Sequence, residues 1–189
     1  MSSYTPTLTA LLHARRNAQP VGRASLQALL VAEPSAPGMK TILSVVEETA
    51  ASKKILTSGA TPPIVVGGHR EGALKETVVA HLKMPGISIL HLSCHGQQHL
   101  QHPLKSDFCL RDGKLTIEEL MQLNLPQPLL AYLSACESAQ GDQNQPDEAD
   151  HLAAAMLFAG FRSVIATMWY VRFPNTMRVV NLPWFKDDE

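Results

Sequence analysis

Cysteine is scarce in this chain: its 189 residues include three, Cys94, Cys109 and Cys136. The number is odd, the spacing follows no framework and no secretion signal accompanies it. A disulfide scaffold is therefore excluded, and reduced thiols in a cytoplasmic setting are expected. Long apolar runs are missing as well. None approaches the roughly 20 residues that span a bilayer, so no membrane partner is expected. Charge of one sign does not dominate, the formal net being −1. That excludes the broad basic footprint of a nucleic-acid or anionic-lipid binder. No internal repeat occurs, which excludes a solenoid. What is present is an apolar fraction of 45%, ordinary for a globular protein, in a chain long enough for one sizeable core.

The first 24 residues show no clean periodicity and read as a loosely ordered lead-in or linker. Ser25–Ala32 is a strand candidate stopped by Glu33-Pro34. Pro37-Gly38 opens a helix in which Ile42, Leu43, Val46, Thr49 and Ala50 fall at helical spacing, with Glu47 and Glu48 outside. The short strand Ile64–Val66 ends at Gly67-Gly68. Glu71–Lys83 reads as a helix burying Leu74, Val78 and Leu82, and it ends before Pro85-Gly86. The strand Ile87–Ser93 follows, then a polar loop from Gln97 to Ser106.

Phe108-Cys109-Leu110 and Lys114-Leu115-Thr116 flank Arg111-Asp112-Gly113, a strong hairpin signal. Thr116 caps a short helix with Glu118 and Glu119 in its first turn, ended by Asn124 and Pro126. Strand Leu129–Ser134 leads into a loop from Glu137 to Asp147 whose apolar content is limited to Ala139 and Pro146. An Ala-rich helix, Glu148–Phe158, closes at Gly160, and Arg162–Met168 is a further strand. Strands alternating with helices imply an α/β fold with a mostly parallel sheet covered on both faces.

In such a sheet ligands bind just outside the carboxyl ends of the strands. Two apolar strands end there on chemistry: Ile87–Ser93 on Cys94-His95-Gly96, and Leu129–Ser134 on Ala135-Cys136. A cysteine and a histidine on neighbouring strand ends form a nucleophile and its proton carrier. Backbone N–H groups near Gly96 suit an oxyanion, since glycine lets the backbone approach closely. The competing reading is inert, because cysteine is among the most buried residue types and many strand-end histidines are satisfied core or surface groups.

Zinc would accept Cys94, His95, His99 and His102 as ligand types. Adjacent Cys94 and His95 on an extended chain face opposite sides, however, and no second pair sits at finger spacing, so no metal is expected. His91 and Cys94 read as core-facing companions of the strand, His99 and His102 as solvated. The acidic residues Glu137, Asp142, Asp147, Glu148 and Asp150 make either a solvated loop or a pocket wall favouring a basic substrate side chain by charge pairing. A serine hydrolase fits poorly, because Ser134 and Ser138 lack a Gly-x-Ser-x-Gly elbow.

Leu90-His91-Leu92-Ser93-Cys94-His95-Gly96 and Leu130-Ala131-Tyr132-Leu133-Ser134-Ala135-Cys136-Glu137-Ser138 resemble the two catalytic blocks of the CHAT-domain family. That family belongs to the caspase-like (clan CD) cysteine peptidases, relatives of separase and gingipain. The likeness extends through Phe108–Glu119 and Glu148–Trp169, and covers about residues 25 to 171. It implies a caspase-like three-layer sandwich and a cysteine-type endopeptidase acting on a protein or peptide, with no metal or organic cofactor. On that resemblance Cys136 is the nucleophile and His95 the general acid and base. The N–H groups of Gly96 and Cys136 form the oxyanion hole, and Glu137 and Asp147 are candidates for the substrate wall.

The chain departs from the family after Trp169, where an acidic residue and a helix normally follow. Here no acid appears until Asp187, and residues 172–189 are an atypical tail. The expectation is a sheet incomplete at the C-terminus, an altered pocket wall, and an apolar edge open to a protein partner. The same departure supports a different class of function, a catalytically silent interaction or signalling module that keeps the fold.

Overall fold

Leucine-rich and β-branched segments form the sheet in the computed structural model of the protein, which describes residues 26–57, 61–97, 99, 101–134 and 149–166. In chain order the elements begin β1 (Gln27–Ala32), α1 (Ser44–Leu56), β2 (Ile64–Gly67), α2 (Lys75–Leu82) and β3 (Ile87–Ser93). There follow β4 (His95–Gln97), a 3-10 turn (Pro103–Lys105), β5 (Asp107–Cys109), β6 (Lys114–Thr116) and α3 (Ile117–Gln122). β7 (Leu130–Leu133), α4 (Ala149–Phe158) and β8 (Ser163–Ala166) complete the described chain. Five strands pair in parallel in the order β2-β1-β3-β7-β8, and β4-β5-β6 form a small antiparallel sheet.

Side chains alternate across a strand, and here the two faces differ in kind. Leu29, Val31, Leu90, Leu92, Ala131 and Leu133 join one core with Val78 and Leu82 of α2, Ile117 and Leu120 of α3, and Leu152 and Met156 of α4. Each fully buried leucine there contributes about 1.5–3 kcal/mol by leaving water. The opposite parity, with His91 and Ser134, faces α1, whose buried residues are Val45, Glu48, Thr49 and Ser52. Helices on both faces of a parallel sheet make the α/β sandwich that the alternation of elements predicts.

Local chemistry sets several boundaries. α3 begins at a capping box: the Thr116 hydroxyl accepts from the Glu119 N–H, and the Glu119 carboxylate accepts from the Thr116 N–H at 2.9 Å. α2 begins at Lys75 rather than Glu71. Gly72 takes a left-handed φ of 68° and Leu74 is extended, so the preceding turn cannot be helical. α1 begins at Ser44, after a left-handed Gly38 at φ 76°. Its buried stripe is rotated from the expected one: Leu43 is 75% exposed, whereas Glu48 is 2% exposed.

The polar loop expected from Gln97 starts later than that residue, because Gln97 pairs with Asp107 and makes the hairpin three-stranded. Strand Arg162–Met168 is described as far as Ala166, and the expected tail lies outside the described residues. Among the described residues no helix is long and apolar enough to cross a membrane.

Candidate active site

The strand order reverses at β1. The chain leaves β1 to add β2 on one side, then returns to add β3 on the other. Loops leaving the carboxyl ends of β1 and β3 therefore diverge, and open parallel sheets present their ligand crevice at such a point. His95 stands at that point. β3 ends at Ser93, Cys94 bends the chain, and His95 starts β4 directly opposite Cys109.

The His95 ring is buried, 3% exposed, and its Nε2 lies 2.6 Å from the carbonyl oxygen of Lys40 in the β1–α1 loop. A carbonyl only accepts, so Nε2 carries a proton, and Nδ1 is the nitrogen through which the neutral ring takes up a proton. The imidazole is thus held in one tautomer and one orientation by a third group, the arrangement a proton carrier needs. Gly96 is buried in β4, paired with Phe108. Cys136, Glu137 and Asp147, the other residues singled out from the sequence, lie outside the described residues.

The two described cysteines are poor nucleophiles. Cys94 is fully buried within the apolar core. Cys109 faces the same side of the small sheet as His95, since directly opposed residues of an antiparallel pair share a face. Burial, then the charge of Asp107 and a hydrogen bond to it at 3.5 Å, push the Cys109 thiol up to about 11. Its reactive thiolate is accordingly suppressed at neutral pH. The Lys114 ammonium, 3.0 Å from Asp107, works in the other direction without prevailing.

His91 is buried as the sequence suggests, but for a polar reason. Its Nε2 donates to Glu48 Oε1 at 3.1 Å, and the ring packs at a tilt against Tyr132 with centroids 4.5 Å apart. Ser134 donates its hydroxyl to the other Glu48 oxygen at 2.7 Å, and Ser93 Oγ lies 3.5 Å from His91 Nε2. A second buried carboxylate, Glu33, follows β1. It accepts from the N–H groups of Ser35 and Ala73 at 2.9 and 2.7 Å and pairs with the Arg111 guanidinium at 3.1 Å. Arg111 thereby ties the hairpin to the end of β1.

His99 and His102 are exposed, their rings 5.5 Å apart. Among the described residues no group of three or more His, Cys, Asp or Glu converges to hold a metal ion.

Sequence reasoning missed Lys40, Glu48 and Glu33. Lys40 acts through its backbone, which side-chain patterns do not report. Glu48 carried a signal, standing three residues after Val45 and four before Ser52, but an acid on a helix reads as solvated.

The family model of the CHAT domain matches residues 1–179. Comparison with curated proteins finds no match.

Proposed function

The chain belongs to the CHAT-domain family, and on that premise we propose that it is a cysteine-type endopeptidase using Cys136 as nucleophile and His95 as general acid and base. One observation carries the proposal: a buried histidine at the switch point of the sheet, its Nε2 held by the Lys40 carbonyl. Two others support it. Cys94 and Cys109 are unsuited to attack, which leaves Cys136. Also, β3 and β7 are paired neighbours with Leu92 level with Leu133, three residues before His95 and Cys136 in the sequence.

In this reading His95 Nδ1 takes the Cys136 thiol proton, and the thiolate attacks the scissile carbonyl carbon. Charge develops on the carbonyl oxygen, facing the N–H groups of Gly96 and Cys136. The C–N bond breaks as His95 returns its proton to the leaving amine. Water then attacks the thioester, giving one proton to His95, and the carboxylate product leaves as the thiol is restored. Glu137 and Asp147 line the entrance and favour a basic side chain before the scissile bond. The substrate is a protein or peptide, and the reducing cytoplasm suits a thiol nucleophile.

Labelling with an electrophilic peptide probe, mapped by mass spectrometry, tests this. Label is expected on Cys136, and His95→Ala is expected to lower peptide cleavage by about two to four orders of magnitude. Label that survives Cys136→Ala and vanishes with Cys94→Ala would move the nucleophile. A folded wild-type chain that neither labels nor cleaves would replace the enzyme with the silent interaction module.

A further inference from the structure

The Glu48 cluster has no part in the chemistry above, yet it lies directly behind it. Glu48 reaches β3 through His91, four residues before His95, and β7 through Ser134, two residues before Cys136. The α1 segment thus holds both strands that carry the proposed dyad. Eight residues earlier on the same segment, the Lys40 carbonyl holds His95 itself. Backbone bonds pin the same region: the Ser134 N–H donates to the Leu92 carbonyl, and the Glu33 N–H to the Ser93 carbonyl, each at 2.9 Å.

Stability is a poor explanation for this cluster. Glu48 and His91 are 2% and 3% exposed, and taking such groups from water costs as much as their pairing returns, so apolar packing would serve a core at least as well. What a carboxylate hydrogen-bonded through both oxygens supplies instead is direction: each oxygen accepts along a defined line, and the two lines fix two strands against one helix. Misplacing reacting atoms by about 1 Å costs roughly a hundredfold in rate, so such a fixture matters most where two strand ends must present a nucleophile and a base together.

We infer that Glu48 and Ser134 are positioning residues of the peptidase, setting the carboxyl end of β7 against that of β3; this rests on the proposed Cys136/His95 mechanism. Ser134→Ala removes one hydroxyl and should lower kcat by about 10- to 100-fold, with KM little changed, on the best-cleaved member of a fluorogenic peptide library. Iodoacetamide needs no peptide alignment but reads the thiolate that His95 forms, so it should alkylate Cys136 more slowly in Ser134→Ala and at the wild-type rate in Ser52→Ala. Ser134→Thr keeps the hydroxyl and should hold kcat within a few-fold of wild type, whereas Glu48→Ala, and Glu48→Gln with its amide nitrogen unable to accept from His91, should lower it.

Ser52→Ala is the control for disturbance of the same interface. Ser52 is buried one turn along α1 and its hydroxyl has no hydrogen-bond partner among the described residues, so kcat should stay at the wild-type value. Folded Ser134→Ala with wild-type kcat, or an equal loss in Ser52→Ala, overturns the inference while leaving the peptidase reading standing. A wild-type chain that neither cleaves nor labels overturns both. Should Glu48→Ala fail to fold, Ser134→Ala with its threonine rescue decides the matter.

Discussion

Replacing Arg111 with alanine should destabilise the protein by about 3 kcal/mol, at the low end of the 3–5 kcal/mol typical when one partner of a buried ion pair is removed. The Glu33 carboxylate that would be stranded is fully buried, and Arg111 pairs with both its oxygens, Nη2 at 3.1 Å and Nε at 3.3 Å. Two observations hold the loss to the low end. Glu33 keeps the N–H groups of Ser35 and Ala73, and the Arg111 side chain is 31% exposed, so its own desolvation is partial. For a chain of this size 1 kcal/mol moves the melting temperature by about 2–4 °C, so a fall of about 6–12 °C is expected. Urea denaturation followed by circular dichroism measures it, and Glu33→Gln with the double variant completes a thermodynamic cycle. Glu33→Gln should itself destabilise, and the double variant should lose less than the sum of the single losses by about 2 kcal/mol. A folded Arg111→Ala within about 0.5 kcal/mol of wild type, the range of an ordinary surface substitution, would refute the reasoning, as would strict additivity.

Two pH-dependent predictions follow from neighbouring groups. With the Cys109 thiol raised to about 11, iodoacetamide at pH 8 should pass over Cys109 in the folded chain and label it only as pH approaches that value; peptide mapping at pH 8 that finds Cys109 alkylated refutes the assignment. Because the folded chain holds that proton more tightly, the stability it brings is full below the ordinary thiol range and lost as pH rises through about 11. For Glu119, burial works to raise the carboxyl, but hydrogen bonds from Lys75 and Thr116 outweigh it and hold it below the ordinary carboxylate range. A lowered carboxyl stabilises above its unfolded value and loses that contribution as pH falls through its folded one. The stability gap between wild type and Lys75→Met should therefore be full near pH 7 and close under acid, measured by denaturation at several pH values; a gap that widens in acid refutes the pairing.

Most of the strands were legible because they are buried on both faces and leave continuous apolar runs. The helix N-cap at Thr116 was legible because its signal is local, four residues long. What escaped was long-range and polar. Residue periodicity favoured Ile42, Leu43, Val46, Thr49 and Ala50 as the inner stripe of α1, since apolar residues are the usual inhabitants of a helix's buried face. Thr49 is buried as expected, but Leu43 and Ala50 are exposed, and Glu48 and Ser52 lie against the sheet. The reason sits on the other side of the contact, where His91 and Ser134 require polar partners. No window along α1 contains that information. The third strand of the small sheet escaped for a related reason: His95–Gln97 has no apolar alternation, and its pairing with Asp107–Cys109 closes over about ten residues of polar chain.

The alternation that makes α1 polar also explains how a core can lead into a site. Along β3, His91 and Ser93 occupy alternate positions, and along β7 and just past it so do Tyr132 and Ser134; beyond the bend at Cys94, His95 opens β4. On the opposite parity the same strands offer Leu90, Leu92, Leu133 and Cys94 to the apolar core. Each strand is therefore divided lengthwise, one edge of side chains for cohesion and one for hydrogen bonding. Toward the carboxyl end the second edge passes from supporting contacts, Glu48 with His91 and Ser134, to the imidazole held by the Lys40 carbonyl. A single-register slip of β7 against β3 would exchange the two edges, driving Tyr132 and Ser134 into leucine and leaving Glu48 buried against apolar groups. The polar row thus specifies the register by making the alternative costly. In the proposed enzyme that register sets the strand that precedes Cys136 against the strand that precedes His95.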